Sequence, residues 1–121
     1  MLLVDAANVV GSRPTGWWRD RPGAARGFVE RLQRAVADGT LDHAVVVVLE
    51  GQAKQGFEAG HHGGVEVVHA PGQGDDTLVA LAAERDSPVV LVSADRRLGD
   101  RVRMLGATVV GPNWLLDRLP A

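Results

Sequence analysis

Five aspartates fall where a parallel α/β sheet would gather them. Asp5 follows the apolar run Met1-Leu2-Leu3-Val4, and Asp95 follows Val89-Val90-Leu91-Val92-Ser93-Ala94. Asp75 and Asp76 open a helix-like stretch, and Asp100 lies a turn or more into another. Carboxylates brought to one sheet edge repel each other unless a cation lies among them. Hard oxygen ligands of this kind suit Mg²⁺ or Mn²⁺ rather than zinc. Such an ion neutralises a phosphate and activates water, so the candidate chemistry is hydrolysis at phosphorus. Plainer roles exist for each acid. Capping a helix needs only one of Asp75 and Asp76, and Asp100 is as well explained by a solvated helix face.

Two polar residues flank these acids. Asn8, three positions after Asp5, has an amide suited to orienting a phosphate or a metal-bound water, or simply to making a turn. Ser93 could hydrogen-bond a ligand acid or a phosphate, or bond the local backbone. Glu50 ends an apolar run and reads as an ordinary strand terminus that could reach the site through water. His61 and His62 are adjacent, so in an extended loop their side chains diverge and chelate one metal poorly. His69 reads as a structural strand-end histidine.

The elements that must position these groups follow from hydrophobic pattern. Residues 1–5 read as a buried strand, and Ala6 to Arg21 as an unusually long loop. A helix follows, capped by Asp20 with Pro22 in its first turn, its inner face carried by Phe28, Val29, Leu32 and Val36. Residues 44–49 are apolar and β-branched, as in a strand covered on both faces. Residues 51–64 read as a glycine-rich mobile loop. Further strands are expected at 65–69, 89–92 and 108–110, with helices from Asp75, around Leu98 to Leu105, and from Pro112 to Leu119 with Trp114, Leu115 and Leu119 inward. This alternation predicts a mostly parallel, three-layer α/β/α sandwich in one domain spanning 1–121. Ligands bind such sheets beyond the carboxyl ends of the strands. If the first and fourth strands are neighbours, their axes lie about 4.8 Å apart and Asp5 and Asp95 could share one ion.

Composition narrows the class. At 121 residues the chain suits one domain with a real core. No apolar run approaches the ~20 residues that span a bilayer, so no membrane partner is expected. The first residues do not read as a signal peptide, since an acid stands at position 5 and no basic segment precedes the apolar run. The lack of cysteine excludes thiolate metal sites, and a cytoplasmic location is the expectation. The net charge of −2 argues against nonspecific DNA coating. It conceals a local excess of base, because Arg13, Arg19, Arg21 and Arg26 cluster around Trp17 and Trp18. Single-stranded RNA is held by aromatic stacking and by guanidinium contacts to phosphate. Arg13, Trp17, Trp18 and Arg19 are therefore candidate RNA contacts, with one tryptophan expected to be buried and one exposed. The chain lacks a dinucleotide Gly-x-Gly-x-x-Gly after its first strand, a Walker lysine and a Gly-x-Ser-x-Gly elbow.

Three segments together resemble a known family. Val4-Asp5-Ala6-Ala7-Asn8 is similar to the opening Asp-x-x-Asn motif of NYN domains, relatives of the PIN nucleases. Gly74-Asp75-Asp76-Thr77-Leu78-Val79 resembles that family's acidic helix start, and Ser93-Ala94-Asp95-Arg96 its Ser/Thr-x-Asp motif. The motifs stand in family order, and the turn Ala70-Pro71-Gly72 before the acids resembles the YacP-like branch. The resemblance implies a PIN-like sheet of order 3-2-1-4-5 and a metal-dependent endoribonuclease acting on RNA, with a possible link to the ribosome. It implies Asp5, Asp76 and Asp95 as Mg²⁺ or Mn²⁺ ligands, with Asn8 and Asp75 assisting. It also implies a further acid after the second strand, for which Glu50 is the nearest candidate.

Two other readings use the same residues: a noncatalytic RNA- or ribosome-binding module, and a nucleotide phosphohydrolase indifferent to Trp17 and Trp18. A homodimer is conceivable through the terminal helix if Trp114 or Leu116 faces outward.

Overall fold

The computed structural model describes residues 1–120. Its centre is strand β2, Val45–Leu49, whose five side chains are all buried. An unbroken β-branched run with no polar face is stable only with layers on both sides. Strand β1, Leu2–Asp5, lies beside it in parallel, with Asp5 opposite Val48. β4, Val65–His69, and β5, Val90–Val92, flank this pair, and β6, Thr108–Val110, lies outside β5. These five strands run parallel in the order β4-β2-β1-β5-β6, which is the expected 3-2-1-4-5. The structure adds a sixth among the described residues: β3, Gly60–His62, pairs antiparallel on the outer edge of β4.

Side chains alternate across the sheet, so each strand feeds both layers. Leu2, Val4, Val45, Val47 and Leu49 point to one face. There they meet α1 (Ala6–Gly11), α2 (Arg21–Ala37) and α5 (Pro112–Leu116) through Val9, Phe28, Val29, Leu32 and Leu115. Leu3, Val46, Val48 and Leu91 point to the other face. They pack on Leu78 and Leu81 of α3 (Gly74–Glu84) and on Leu98 and Val102 of α4 (Arg96–Arg103). Asp20 caps α2 as expected, accepting from the Gly23 N–H at 2.9 Å, with Pro22 in the first turn.

Four expectations need correction. The segment after β1 is not one long loop: it begins with α1 and includes a 3₁₀ turn at Trp17–Arg19. α1 holds glycine and two valines, poor helix formers. Burial of Ala6 and Val9 and a cap from Asp5 supply what propensity lacks. Residues 51–64 are likewise structured, as a 3₁₀ turn at Gly51–Gly56 followed by β3. His61 and His62 therefore sit on a strand, and the His62 ring packs edge-on against Phe57 with centroids 5.1 Å apart. Finally, Leu116 is buried and Trp114 half-buried, its ring covered by the Arg118 guanidinium at 4.1 Å.

Candidate functional site

Asp5 is the last residue of β1, which lies beside β2 in the middle of the sheet, and is the N-cap of α1. One side chain therefore ends a strand, starts a helix and stands at the carboxyl edge of the sheet. Its residue is only 6% exposed. Oδ1 accepts from the Asn8 N–H at 3.3 Å, and Oδ2 accepts from the Ser93 hydroxyl at 2.9 Å. The residue three after a cap presents its backbone N–H to it whatever its side chain, so this bond fixes the place of residue 8 and not its identity.

The third motif is bound to the first. Ser93 follows β5, the parallel neighbour of β1, and its Oγ also accepts from the Asp95 N–H at 3.1 Å. Asn8 Oδ1 accepts from the Ala94 N–H at 2.7 Å. Asp95 caps α4, its Oδ1 accepting from the Leu98 N–H at 3.1 Å. Asp5, Asn8, Ser93 and Asp95 are thus one hydrogen-bonded unit across two strand ends. Asn8→Ala would strip the acceptor from Ala94. It is expected to lower stability by about 1 kcal/mol and to speed amide exchange at Ala94, read by urea unfolding and hydrogen exchange.

Burial pushes the Asp5 carboxyl up to about 6, against the two hydrogen bonds that favour its ionised form. The charges of Glu50 and Asp75 push it further in the same direction. These two acids are therefore the ones close enough to be felt at Asp5. Glu50 stands just past β2, and its Oε1 lies 3.0 Å from where a Cβ on Gly74 would be. Glycine at the first position of α3 makes room for that carboxylate. Asp75, next along, is half-buried, whereas the Asp76 side chain is 90% exposed and its Oδ1 meets Arg101 at 3.1 Å. Asp100 is exposed on α4 and pairs with Arg103 at 3.3 Å.

The acids thus gather in part. Asp5, Glu50 and Asp75 interact electrostatically, Asp95 joins through Ser93, and Asp76 is turned to Arg101. Among the described residues no three His, Asp or Glu side chains converge tightly enough to cage a metal ion. Magnesium is commonly held by one or two carboxylates together with waters and substrate phosphates, so it does not by itself require such a cage.

The arginine-tryptophan segment divides between structure and surface. Arg13 bonds Asp117 at 3.0 Å and Asn113 at 3.2 Å, tying the segment to the C-terminal helix. Trp17 is half-buried and Trp18 is 49% exposed, their rings edge to face at 5.9 Å. Arg19 lies over Trp18 at 5.7 Å and Arg21 over Trp17 at 5.1 Å. His69 is structural: its Nε2 bonds the Phe57 carbonyl oxygen at 2.7 Å. Lys54 donates to the Ala70 carbonyl at 3.0 Å, fastening the 3₁₀ turn to the end of β4.

Glu50 and Arg21 are the residues whose placement the sequence left undervalued. Glu50 carried a signal, a lone acid at the end of a buried strand, but which acids it faces depends on the course of the following turn.

A mostly parallel sheet with helices on both faces and polar groups at its carboxyl edge makes a three-layer α/β/α sandwich. More closely, the fold is YacP-like. The crystal structure of Rae1 (YacP) from Bacillus subtilis matches with a TM-score of 0.73 at 18% sequence identity, over 96% of this chain and 72% of that one. At that identity the likeness is one of fold. No protein-family model matches the sequence, and no curated protein does. Among the described residues no helix is long and apolar enough to cross a membrane.

Proposed function

We propose that this protein is a metal-dependent endoribonuclease whose centre is the acidic edge around Asp5. The observation that carries the reading is the buried Asp5, at the end of β1, within reach of the charges of Glu50 and Asp75. The resemblance of the three ordered motifs to NYN domains gives the substrate class, and the YacP-like fold supports it.

In this reading Asp5, Asp75 and Asp95, with Glu50 beside them, would hold Mg²⁺ or Mn²⁺. Capping α4 occupies one lone pair of Asp95 and leaves further acceptor capacity. Asp76, paired with Arg101, would be a further candidate ligand were Arg101 to turn to a phosphate. When bound, the ion neutralises a nonbridging phosphate oxygen and lowers the pKa of a water. Ser93 fixes the Asp5 carboxylate through Oδ2, and Asn8 holds the strand-end loop that carries Asp95. Arg19, Arg21 and Trp18 line the approach for a single strand.

A panel of single-stranded and structured RNAs in Mn²⁺, with wild type beside Asp95→Asn, tests this. Cleavage that falls to background in the mutant is expected. A second reading, a noncatalytic RNA-binding module, draws on the absence of a tight three-acid cage among the described residues. It predicts RNA binding that survives Asp95→Asn and no cleavage by either protein. Turnover of mononucleotides, unchanged by loss of Trp17 and Trp18, would point to a phosphohydrolase.

A further inference from the structure

Beside the acidic edge lies a cavity of about 280 Å³ between α1, the start of α2 and the 3₁₀ turn after β2. Its walls include Ala7 and Ala53, the Trp17 ring, Arg21, Gln52 and Glu50. Three features bear on its occupant. The floor is apolar, and one wall is an indole whose ring is held in place by the Arg21 guanidinium 5.1 Å from its centroid. A few polar groups, Arg21 and Gln52, stand among the apolar ones, as in sites that orient a planar ligand. Glu50 lines the cavity and is also one of the acids felt at Asp5, so cavity and acidic edge share a wall.

A group seated there would therefore be joined within a short reach to whatever lies at Asp5. The arginines favour an anionic strand at the mouth: Arg19 and Arg21 are exposed on its tryptophan side, and Arg26 is exposed one turn further along α2. Every nucleobase presents a π face to an aromatic wall, and base–aromatic stacking is a common means of holding single strands.

We propose that this cavity binds one unpaired nucleobase of the RNA strand whose phosphodiester lies at the acidic edge. It would place the scissile phosphate by gripping the base of a neighbouring nucleotide. The inference rests on the reading of that edge as a phosphodiester site, and it adds a position at which base identity is sensed. Trp17 is then a binding residue, Arg21 pins its ring and meets the strand, and Ala7 must stay small to leave the cavity open.

The test measures binding apart from cleavage. Labelled RNA hexamers, each with one abasic position moved along the strand, are titrated by anisotropy without divalent metal. Wild type is expected to lose about tenfold in affinity at one abasic position, the effect of a lost stack. Ala7→Leu is a conservative filling of the cavity at an exposed helical position and a good helix former. It should bind the intact hexamer about tenfold more weakly than wild type, with no abasic position now discriminated and the melting temperature kept. Trp17→Phe should retain most of the discrimination, and Trp17→Ala should not. Equal binding of every abasic strand by wild type, or wild-type discrimination by Ala7→Leu, overturns the proposal. Discrimination without cleavage in Mn²⁺ keeps the base pocket and removes the nuclease reading. Cleavage without discrimination does the reverse.

Discussion

Asp5→Asn is expected to make the metal-free protein more stable above pH 6, although it replaces a residue at the centre of the candidate site. In the folded chain the Asp5 pKa is raised from 3.8 to about 6, chiefly by burial. The folded state therefore binds a proton that the unfolded chain has already released across that interval. Stability from this group is fully present below pH 4 and declines as pH rises through the folded pKa. At neutral pH the loss is of the order of 3 kcal/mol, at 1.36 kcal/mol per pK unit. Asparagine removes the charge but accepts only one of the two hydrogen bonds from Asn8 and Ser93, returning about 1 kcal/mol of that gain. The net expectation at pH 8 is about 2 kcal/mol, or roughly 6–10 °C in melting temperature. The advantage should be lost below about pH 4, towards full protonation of Asp5 in both states, where only the missing hydrogen bond remains and the mutant is about 1 kcal/mol the less stable. Millimolar Mn²⁺ should raise the wild-type melting temperature by mass action and do little for the mutant, which should also lose cleavage. Melting curves from pH 4 to 8, with and without Mn²⁺, decide it. A difference between the two proteins that does not depend on pH would mean that Asp5 is not held in the strained state described here. An unchanged wild-type curve in Mn²⁺ would argue against the metal site itself.

How much of this was legible beforehand follows from range. The inner strands were readable because Val45–Leu49 and Val89–Val92 are apolar without alternation, which leaves few places for them but a covered parallel sheet. The pairing of the Asp5 and Asp95 ends was readable once two such strands were taken as neighbours. That Asn8 and Ser93 bind the two motifs to each other was not, since each bond spans more than 80 residues and depends on a loop path. Helix α1 was missed because its stability lies in burial rather than in its own residues. The hairpin of β3 and β4 carried a signal that went unread. Gly63 and Gly64 both take positive φ, 56° and 81°, directly between His62 and Val65, which pair. Two adjacent glycines are a strong mark of a two-residue hairpin turn. The neighbouring run of glycine and histidine made the whole stretch read as loop. Which acids meet was the least accessible of all. Asp75 and Asp76 are adjacent in sequence, yet a helix turns neighbours about 100° apart, and only tertiary placement decides that Asp75 is felt at Asp5 while Asp76 pairs with Arg101.

The same distinction gives a second large effect, at two glycines the sequence does not tell apart. Gly56→Ala is expected to destabilise the protein by about 1–3 kcal/mol or more, the range for forcing extra atoms into a packed interior. Gly56 is buried at the end of the 3₁₀ turn, and a Cβ there would lie 2.0 Å from the Pro22 carbonyl oxygen and 2.8 Å from its carbon. Both atoms are backbone in the first turn of α2, so no rotamer relieves the clash and the two segments must part. Gly27→Ala, on the same helix, meets nothing within 4 Å. It should stabilise by about 0.5–1 kcal/mol, because alanine loses less backbone freedom than glycine on entering a helix. Urea unfolding of the two variants should therefore move the midpoint in opposite directions with little change in slope. The consequence for function runs through the same contact. The turn that Gly56 seats against α2 also supplies Gln52 and Ala53 to the cavity and leads directly from Glu50. Gly56→Ala should accordingly weaken RNA hexamer binding even at temperatures where it remains folded, while Gly27→Ala leaves binding as in wild type. Equal midpoints for Gly56→Ala and wild type would show that the turn is free to move off α2, and that the cavity is not a fixed feature of the fold.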